Sequence, residues 1–270
     1  MNSTWVINLK KIKDRGIFYT IKIEIYKILL DQKYSDSVLK KIALVTLKFF
    51  AKNLKIKQAQ FFLKLIEGKD KSYSQMGQDL FVLFMLNNKK NGFFIEVGAG
   101  DGINLSNTYL LEKHYNWTGI LIEPNTTFYN KCISTRKCVV KNNLLLNQEA
   151  NALKFYEKKI GEFSHSEGFG NILASDVLAE YYVQTIKFGE LFNDFKETPK
   201  IDFLSIDTEG SEFEILQSID FSKYGPLVIC IEHNFNKINR IRYKKFLQHK
   251  GYKLKYSGIS RWDSWFTLVN

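Results

Sequence analysis

The sequence predicts an α/β protein: a mostly parallel sheet covered by helices on both faces, preceded by a lysine-rich helical extension. Three observations predict it. Unbroken apolar runs end in polar turns, helix-like segments alternate with those runs, and the positive charge is confined to the first quarter of the chain.

Residues 1–72 repeat apolar residues every three or four positions, at Ile21, Ile25, Ile28 and Leu29 and again at Val38, Ile42, Val45, Leu47 and Phe50, the period of amphipathic helices. Their polar positions are mostly lysine. This stretch holds 16 Lys and Arg against 6 Asp and Glu, a net of +10 out of the chain's +11, so residues 73–270 carry only +1. A basic groove for nucleic acid is therefore not expected in the main domain. The extension reads as packing on the main domain or on a second copy, with peripheral contact to an anionic membrane surface or a protein partner as the alternative.

Glu67 to Ser74 is a polar break, which sets the expected domains at 1–72 and 73–270. Gln78 to Leu86 reads as a helix, and Phe93 to Val97 as a buried strand running into the turn Gly98-Ala99-Gly100-Asp101-Gly102. Ser106 to His114 is helical, Thr118 to Ile122 is a strand ending at Glu123-Pro124, and Cys138 to Val140 is a third. Ala152 to Glu157 alternates as a strand, and Gly161 to Ala174 is a Gly/Ser-rich loop long enough to carry specificity. Ile201 to Ile206 is a strand closing on Asp207-Thr208-Glu209-Gly210, followed by a helix from Ser211 to Ile219. Leu227 to Ile231 ends on Glu232-His233-Asn234, Arg240 to Gln248 is helical, and Tyr252 to Ser257 and Trp265 to Val269 are terminal strands.

The composition, 270 residues with 45% hydrophobic and 25% charged, is that of a globular protein. The apolar runs are shorter than the ~20 residues that cross a bilayer. The lysines near Met1 follow the apolar residues, so no secretory signal is expected. Three cysteines without zinc-type spacing suit a reducing compartment. A cytoplasmic protein is expected, with the inner face of the membrane as a peripheral location.

In a doubly wound sheet, ligands bind where strands end at the carboxyl edge. Here four strands end in ionisable groups: Glu96, Glu123, Asp207 with Glu209, and Glu232 with His233, and Asn142 and Asn143 follow the third strand. The glycine turn reads G-x-G-x-G and lacks the third glycine of the dinucleotide fingerprint, since Ile103 stands there. Glu96 and Asp101 beside it disfavour a pyrophosphate and suit an ammonium and hydroxyls, as at the methionine end of S-adenosylmethionine. Glu123 is placed to accept from both hydroxyls of a ribose, whichever nucleoside carries it.

The chain resembles the FkbM-type S-adenosylmethionine-dependent methyltransferases. The resemblance is carried by Tyr73-Ser74-Gln75-Met76-Gly77-Gln78-Asp79, Gly92 to Gly102, Ser106-Asn107-Thr108 with Leu111-Glu112, Trp117 to Pro124, and Ile206-Asp207-Thr208-Glu209-Gly210-Ser211-Glu212. It covers about residues 73–270, so the extension inherits nothing. It implies a class I methyltransferase (Rossmann-like) fold, a seven-stranded sheet whose last strand is antiparallel, and methyl transfer to a hydroxyl of a sugar or related product. It further implies cofactor contacts at Glu96, Gly98, Gly100 and Glu123, with polar positions Gln78 and Asn107 near the cofactor and the mouth of the site.

Methyl transfer to a sugar hydroxyl needs alignment and removal of one proton. His233 is the expected base, and Asp207 and Glu209 orient the acceptor, act as base, or share a divalent ion, Mg²⁺ or Mn²⁺, with Glu232. Phe163, Phe169, Tyr181, Tyr182, Trp262 and Trp265 are aromatics that could stack on a saccharide. The basic helix of Lys237, Arg240, Arg242, Lys244 and Lys245 reads as a solvated face or a phosphate contact. The expected activity is O-methylation of a surface polysaccharide, its precursor or a glycolipid, by a protein whose oligomeric state the residues leave open. The alternatives are a nicotinamide-dependent oxidoreductase on the same sheet and a non-catalytic membrane-peripheral binding protein.

Overall fold

The structure, a computed structural model, describes residues 41, 44–49, 57–147, 152–169, 176–257 and 259–269. The chain divides into two units, Met1–Asp70 and Lys71–Asn270. In the first, residues 44–49 are helical and α1 (Lys57–Gly68) buries Ala59, Phe61, Phe62 and Leu65 along one face. The helix expected over Ile21 to Leu29 lies outside the described residues. No helix among the described residues is long and apolar enough to cross a membrane.

The second unit opens with α2 (Gln78–Met85), β1 (Phe93–Val97), α3 (Tyr109–Tyr115), β2 (Thr118–Ile122), α4 (Thr126–Thr135) and β3 (Val139–Lys141). An insertion follows with β4 (Leu144–Leu145), β5 (Ala152–Lys158), β6 (His165–Ser166) and β7 (Val177–Ile186). The chain then returns through β8 (Phe203–Ile206), α5 (Glu212–Ser218), α6 (Phe221–Tyr224), β9 (Val228–Glu232), α7 (Lys237–His249), β10 (Tyr252–Lys255) and β11 (Asp263–Leu268).

The main sheet runs β10-β11-β9-β8-β1-β2-β3, and every pairing is parallel except those of β11. This is the seven-stranded sheet with an antiparallel last strand that the resemblance implies. Every residue of β1 and β8 is buried, as continuous apolar runs at the sheet's centre require. One face packs Ile95, Ile120, Leu204, Ile229 and Phe266 against Leu191, Ile215 and Leu247. Trp265 is fully buried and stacks on Phe81 at 4.8 Å, so it belongs to the core and not to the substrate candidates.

The chain starts at the sheet's centre, works outward to β3, and crosses back to β8. The order therefore reverses between β1 and β8, and their diverging connections open a crevice at the carboxyl edge. The insertion forms a second sheet, β4-β7-β5-β6, on a small core of Leu144, Leu146, Phe155 and Val183. Of this sheet only β5 was expected, and α4 was not expected at all.

Candidate functional site

A cavity of about 520 Å³ opens at the carboxyl ends of β1, β2, β8 and β9, large enough for a nucleoside-sized ligand. Its lining includes the glycine turn, Glu123, the β8 and β9 ends, and residues 160–166 of the insertion. Gly98 has φ +78°, and a Cβ there would stand 1.7 Å from the Asp207 carbonyl oxygen. Only glycine lets the end of β1 lie against the end of β8. Gly100 has φ +56°, lines the cavity, and leaves open the space where a Cβ would stand.

Glu123 braces this turn, its carboxylate accepting from Gly100 N at 2.7 Å and from Asn125 N at 2.8 Å. Burial pushes its carboxyl up to about 8 despite those bonds. Asn125 in turn caps α4 by accepting from Phe128 N.

Glu96 lines the cavity, yet its carboxylate is occupied by the loop before α3. It accepts from Asn107 N at 2.6 Å, from Ser106 Oγ at 3.0 Å and from Thr108 Oγ1. Burial raises its carboxyl, and Arg136 pulls against that shift. The guanidinium of Arg136 is buried, donates to Glu112 Oε2, the Gly102 carbonyl and Thr108 Oγ1 at 2.9 Å each, and lies 3.9 Å from Glu96. Sequence reasoning missed Arg136, which follows α4 and belongs to no local motif. Asn107 donates through Nδ2 to Ser205 Oγ, leaving its Oδ1 buried without a partner on the cavity lining. An unpaired buried acceptor beside the glycine turn fits a donor such as the ammonium of S-adenosylmethionine.

Asp207, Glu209 and Glu232 each bring one carboxylate oxygen within 4.8 Å of the others. Burial pushes Asp207 well up, reinforced by Glu232, Asp263 and Glu209. It takes Glu232 to about 8, with Glu209 adding repulsion, and Glu209 to about 7, with Glu212 adding repulsion. Glu209 has φ +56°, and Glu212 secures its turn by accepting from Thr208 N and Gly210 N. Such a cluster can share protons among its oxygens or ligate a divalent cation. Behind it, Gln78 lines the cavity and donates to Asp263 Oδ2 at 2.6 Å, and burial pushes Asp263 to about 6.

Two expected site residues are placed elsewhere. His233 is not among the residues lining the cavity: its Nε2 donates to the Asp263 carbonyl at 3.1 Å, and burial lowers its pKa. Asn142 likewise stays off the lining, because its Nδ2 donates to the Glu123 and Pro124 carbonyls, and Asn143 lines the cavity instead. Among the aromatics, Phe163 and Trp262 line the mouth with Phe235, while Phe169 packs on the insertion's core. Gln75 accepts from Trp262 Nε1 at 2.8 Å and fixes that ring.

Residues 96–254, more than half of the chain, match the Methyltransferase FkbM domain. No curated protein matches the chain. Among solved structures it is similar to a putative RNA methyltransferase from Pyrococcus horikoshii, at 10% identity over 72% of this chain and 84% of that one, with a TM-score of 0.40. It is also similar to a precorrin-6y C5,15-methyltransferase from Geobacter metallireducens GS-15, at 14% identity over 66% and 71%, with a TM-score of 0.37. A third is an S-adenosylmethionine-dependent methyltransferase from Aquifex aeolicus, at 11% identity over 74% and 96%, with a TM-score of 0.33.

Proposed function

From the premise that this chain belongs to the FkbM methyltransferase family and takes its methyl group from S-adenosylmethionine, we propose that it methylates a hydroxyl oxygen of a saccharide. When bound, that donor supplies an electrophilic methyl on a sulfonium. The chain's residues divide the remaining work. The backbone at Gly98 to Gly100, the Asn107 Oδ1 and the Glu123 carboxylate hold the donor's amino acid and ribose ends. Trp262 and Phe163 offer ring faces at the mouth, the surfaces a pyranose stacks on.

One observation carries the choice of a hydroxyl acceptor: the carboxylates of Asp207, Glu209 and Glu232 meet in the same cavity as the donor-binding turn. An alcohol that gains a methyl must lose a proton. A carboxylate pushed up to about 8 is a stronger base than an ordinary one when ionised, and its ionised fraction grows as pH rises toward 8. Glu232 is the proposed proton acceptor, with Asp207 and Glu209 orienting the hydroxyl. Replacing Glu232→Gln should slow methylation about a hundredfold or more while S-adenosylhomocysteine still binds in calorimetry. Undiminished turnover would remove Glu232, and binding of NADH without S-adenosylhomocysteine would overturn the whole assignment.

A second reading is favoured by the closeness of the three oxygens: Mg²⁺ or Mn²⁺ held by Asp207, Glu209 and Glu232 would acidify the hydroxyl directly. Loss of turnover on chelation, restored by either ion, would assign it. For the acceptor, the proposal is a surface polysaccharide, its precursor or a glycolipid. Mass spectrometry of host glycans with active and with Glu232→Gln protein tests it, and identical spectra would refute it. For residues 1–72 the proposal is peripheral contact with the inner face of a membrane, tested by salt-dependent vesicle binding of the full chain and of a chain lacking them.

A further inference from the structure

Helix α7 carries its charge and its apolar residues on an unusual face. Its thirteen residues contain Lys237, Arg240, Arg242, Lys244 and Lys245 and no Asp or Glu. Tyr243 and Leu247 are its buried residues, and at 3.6 residues per turn the face opposite them presents Ile238, Ile241 and Lys245 as a single stripe. Ile238 is 75% exposed and Ile241 68% exposed. The residue Phe235, just before the helix, is 65% exposed. A helix that merely covers a core turns its lysines to water and its isoleucines inward. Here the isoleucines share the outward face with the lysines.

The helix is anchored at several points, and Phe235 just before it lines the cavity. Asn236 caps the helix by accepting from Ile238 N and Asn239 N, and the Arg242 guanidinium lies 3.6 Å over the Phe213 ring. Arg240 donates to the Ser257 carbonyl. Phe235 packs edge-on against Trp262 at 5.6 Å, and both rings line the mouth. Apolar side chains projecting from a ring of cations are what an anionic bilayer accepts: phosphates pair with the lysines and the acyl boundary takes the isoleucines and the phenylalanine. A nucleic acid would satisfy the cations and leave those three side chains in water.

We propose that Phe235, Ile238 and Ile241, flanked by Lys237, Lys244 and Lys245, form a docking surface for an anionic phospholipid bilayer, set beside the mouth of the cavity. The proposal goes beyond methyl transfer and stands or falls independently of the acceptor. The surface is distinct from residues 1–72.

The test uses the full chain carrying Cys138→Ser and a polarity-sensitive dye on Ile238→Cys, with Lys90→Cys as a control at the opposite edge of the sheet. On vesicles of phosphatidylcholine with phosphatidylglycerol, the dye at 238 should shift to the blue and be quenched by acyl-brominated lipid. The dye at 90 should not respond, and vesicles of phosphatidylcholine alone should shift neither. The unlabelled double variant Ile238→Asp/Ile241→Asp, altered only at exposed positions, should keep its melting temperature and bind the anionic vesicles roughly tenfold more weakly or worse. Three results would overturn the proposal. The protein could sediment with vesicles while the dye at 238 stays in water, so that the extension alone binds. The shift could arise without lipid as protein concentration rises, so that a second copy covers this face. The double variant could bind as tightly as the parent.

Discussion

Replacing Arg136→Met tests whether a buried cation holds the donor-binding half of the site together. The substitution keeps much of the side chain's volume but removes the ion pair to Glu112 at 2.9 Å and the charge 3.9 Å from Glu96, along with the bonds to the Gly102 carbonyl and Thr108 Oγ1. Breaking a buried pair by deleting one partner costs about 3–5 kcal/mol, because the remaining charge has nothing to offset its burial. For a unit of this size each kcal/mol is worth roughly 2–4 °C, so melting should fall by roughly 6–20 °C. Thermal and urea unfolding read the loss, and a titration with S-adenosylhomocysteine reads the loop. Adding Glu96→Gln should recover part of the lost stability, since it removes the stranded charge. A loss below about 1 kcal/mol, or strict additivity of the two substitutions, would refute the argument that Glu96 and Arg136 act as a unit.

The two glycines of the turn should separate folding from binding. Gly98→Ala collides with the Asp207 carbonyl and should cost more than the roughly 1–2 kcal/mol of a left-handed alanine, whereas Gly100→Ala should cost about that strain alone yet weaken S-adenosylhomocysteine. Equal melting temperatures for the two would contradict the close approach. Glu123→Ala should weaken the same ligand by about tenfold to a hundredfold, the loss of one or two charge-assisted bonds, read by calorimetry. The carboxyl of Glu232 sits at about 8 in the folded chain against 4.5 ordinarily, so the folded state holds its proton more tightly. Its contribution is complete below 4.5 and is lost as pH rises through about 8. Urea midpoints should therefore fall across that window, and less steeply in Glu232→Gln.

The strands of the main sheet were legible because a buried parallel strand is mostly apolar, and Phe93 to Val97 and Thr118 to Ile122 are so apart from Glu96 and Thr118. The glycine turn was legible because Gly98, Gly100 and Gly102 all take left-handed backbone, the region where glycine carries no steric cost. The long strand β7 was not, since its outward Leu178, Glu180 and Tyr182 mix apolar and polar residues on the exposed face. His233 and Glu232 are neighbours in sequence at the end of one strand, where the pleat sends successive side chains to opposite faces. Chain position alone could not say which of them faces the cavity.

By itself the sequence determined the α/β class, the turn after β1 and the acidic strand ends, because each is written in a short window of residues obeying local backbone rules. Only the tertiary structure decided that Arg136 reaches Glu96 across forty residues, that Asn107 keeps an unpaired oxygen, and that Asp207, Glu209 and Glu232 converge while His233 turns away. Those are matters of distance and dielectric, and both arise when segments far apart in the chain exclude water from the space between them.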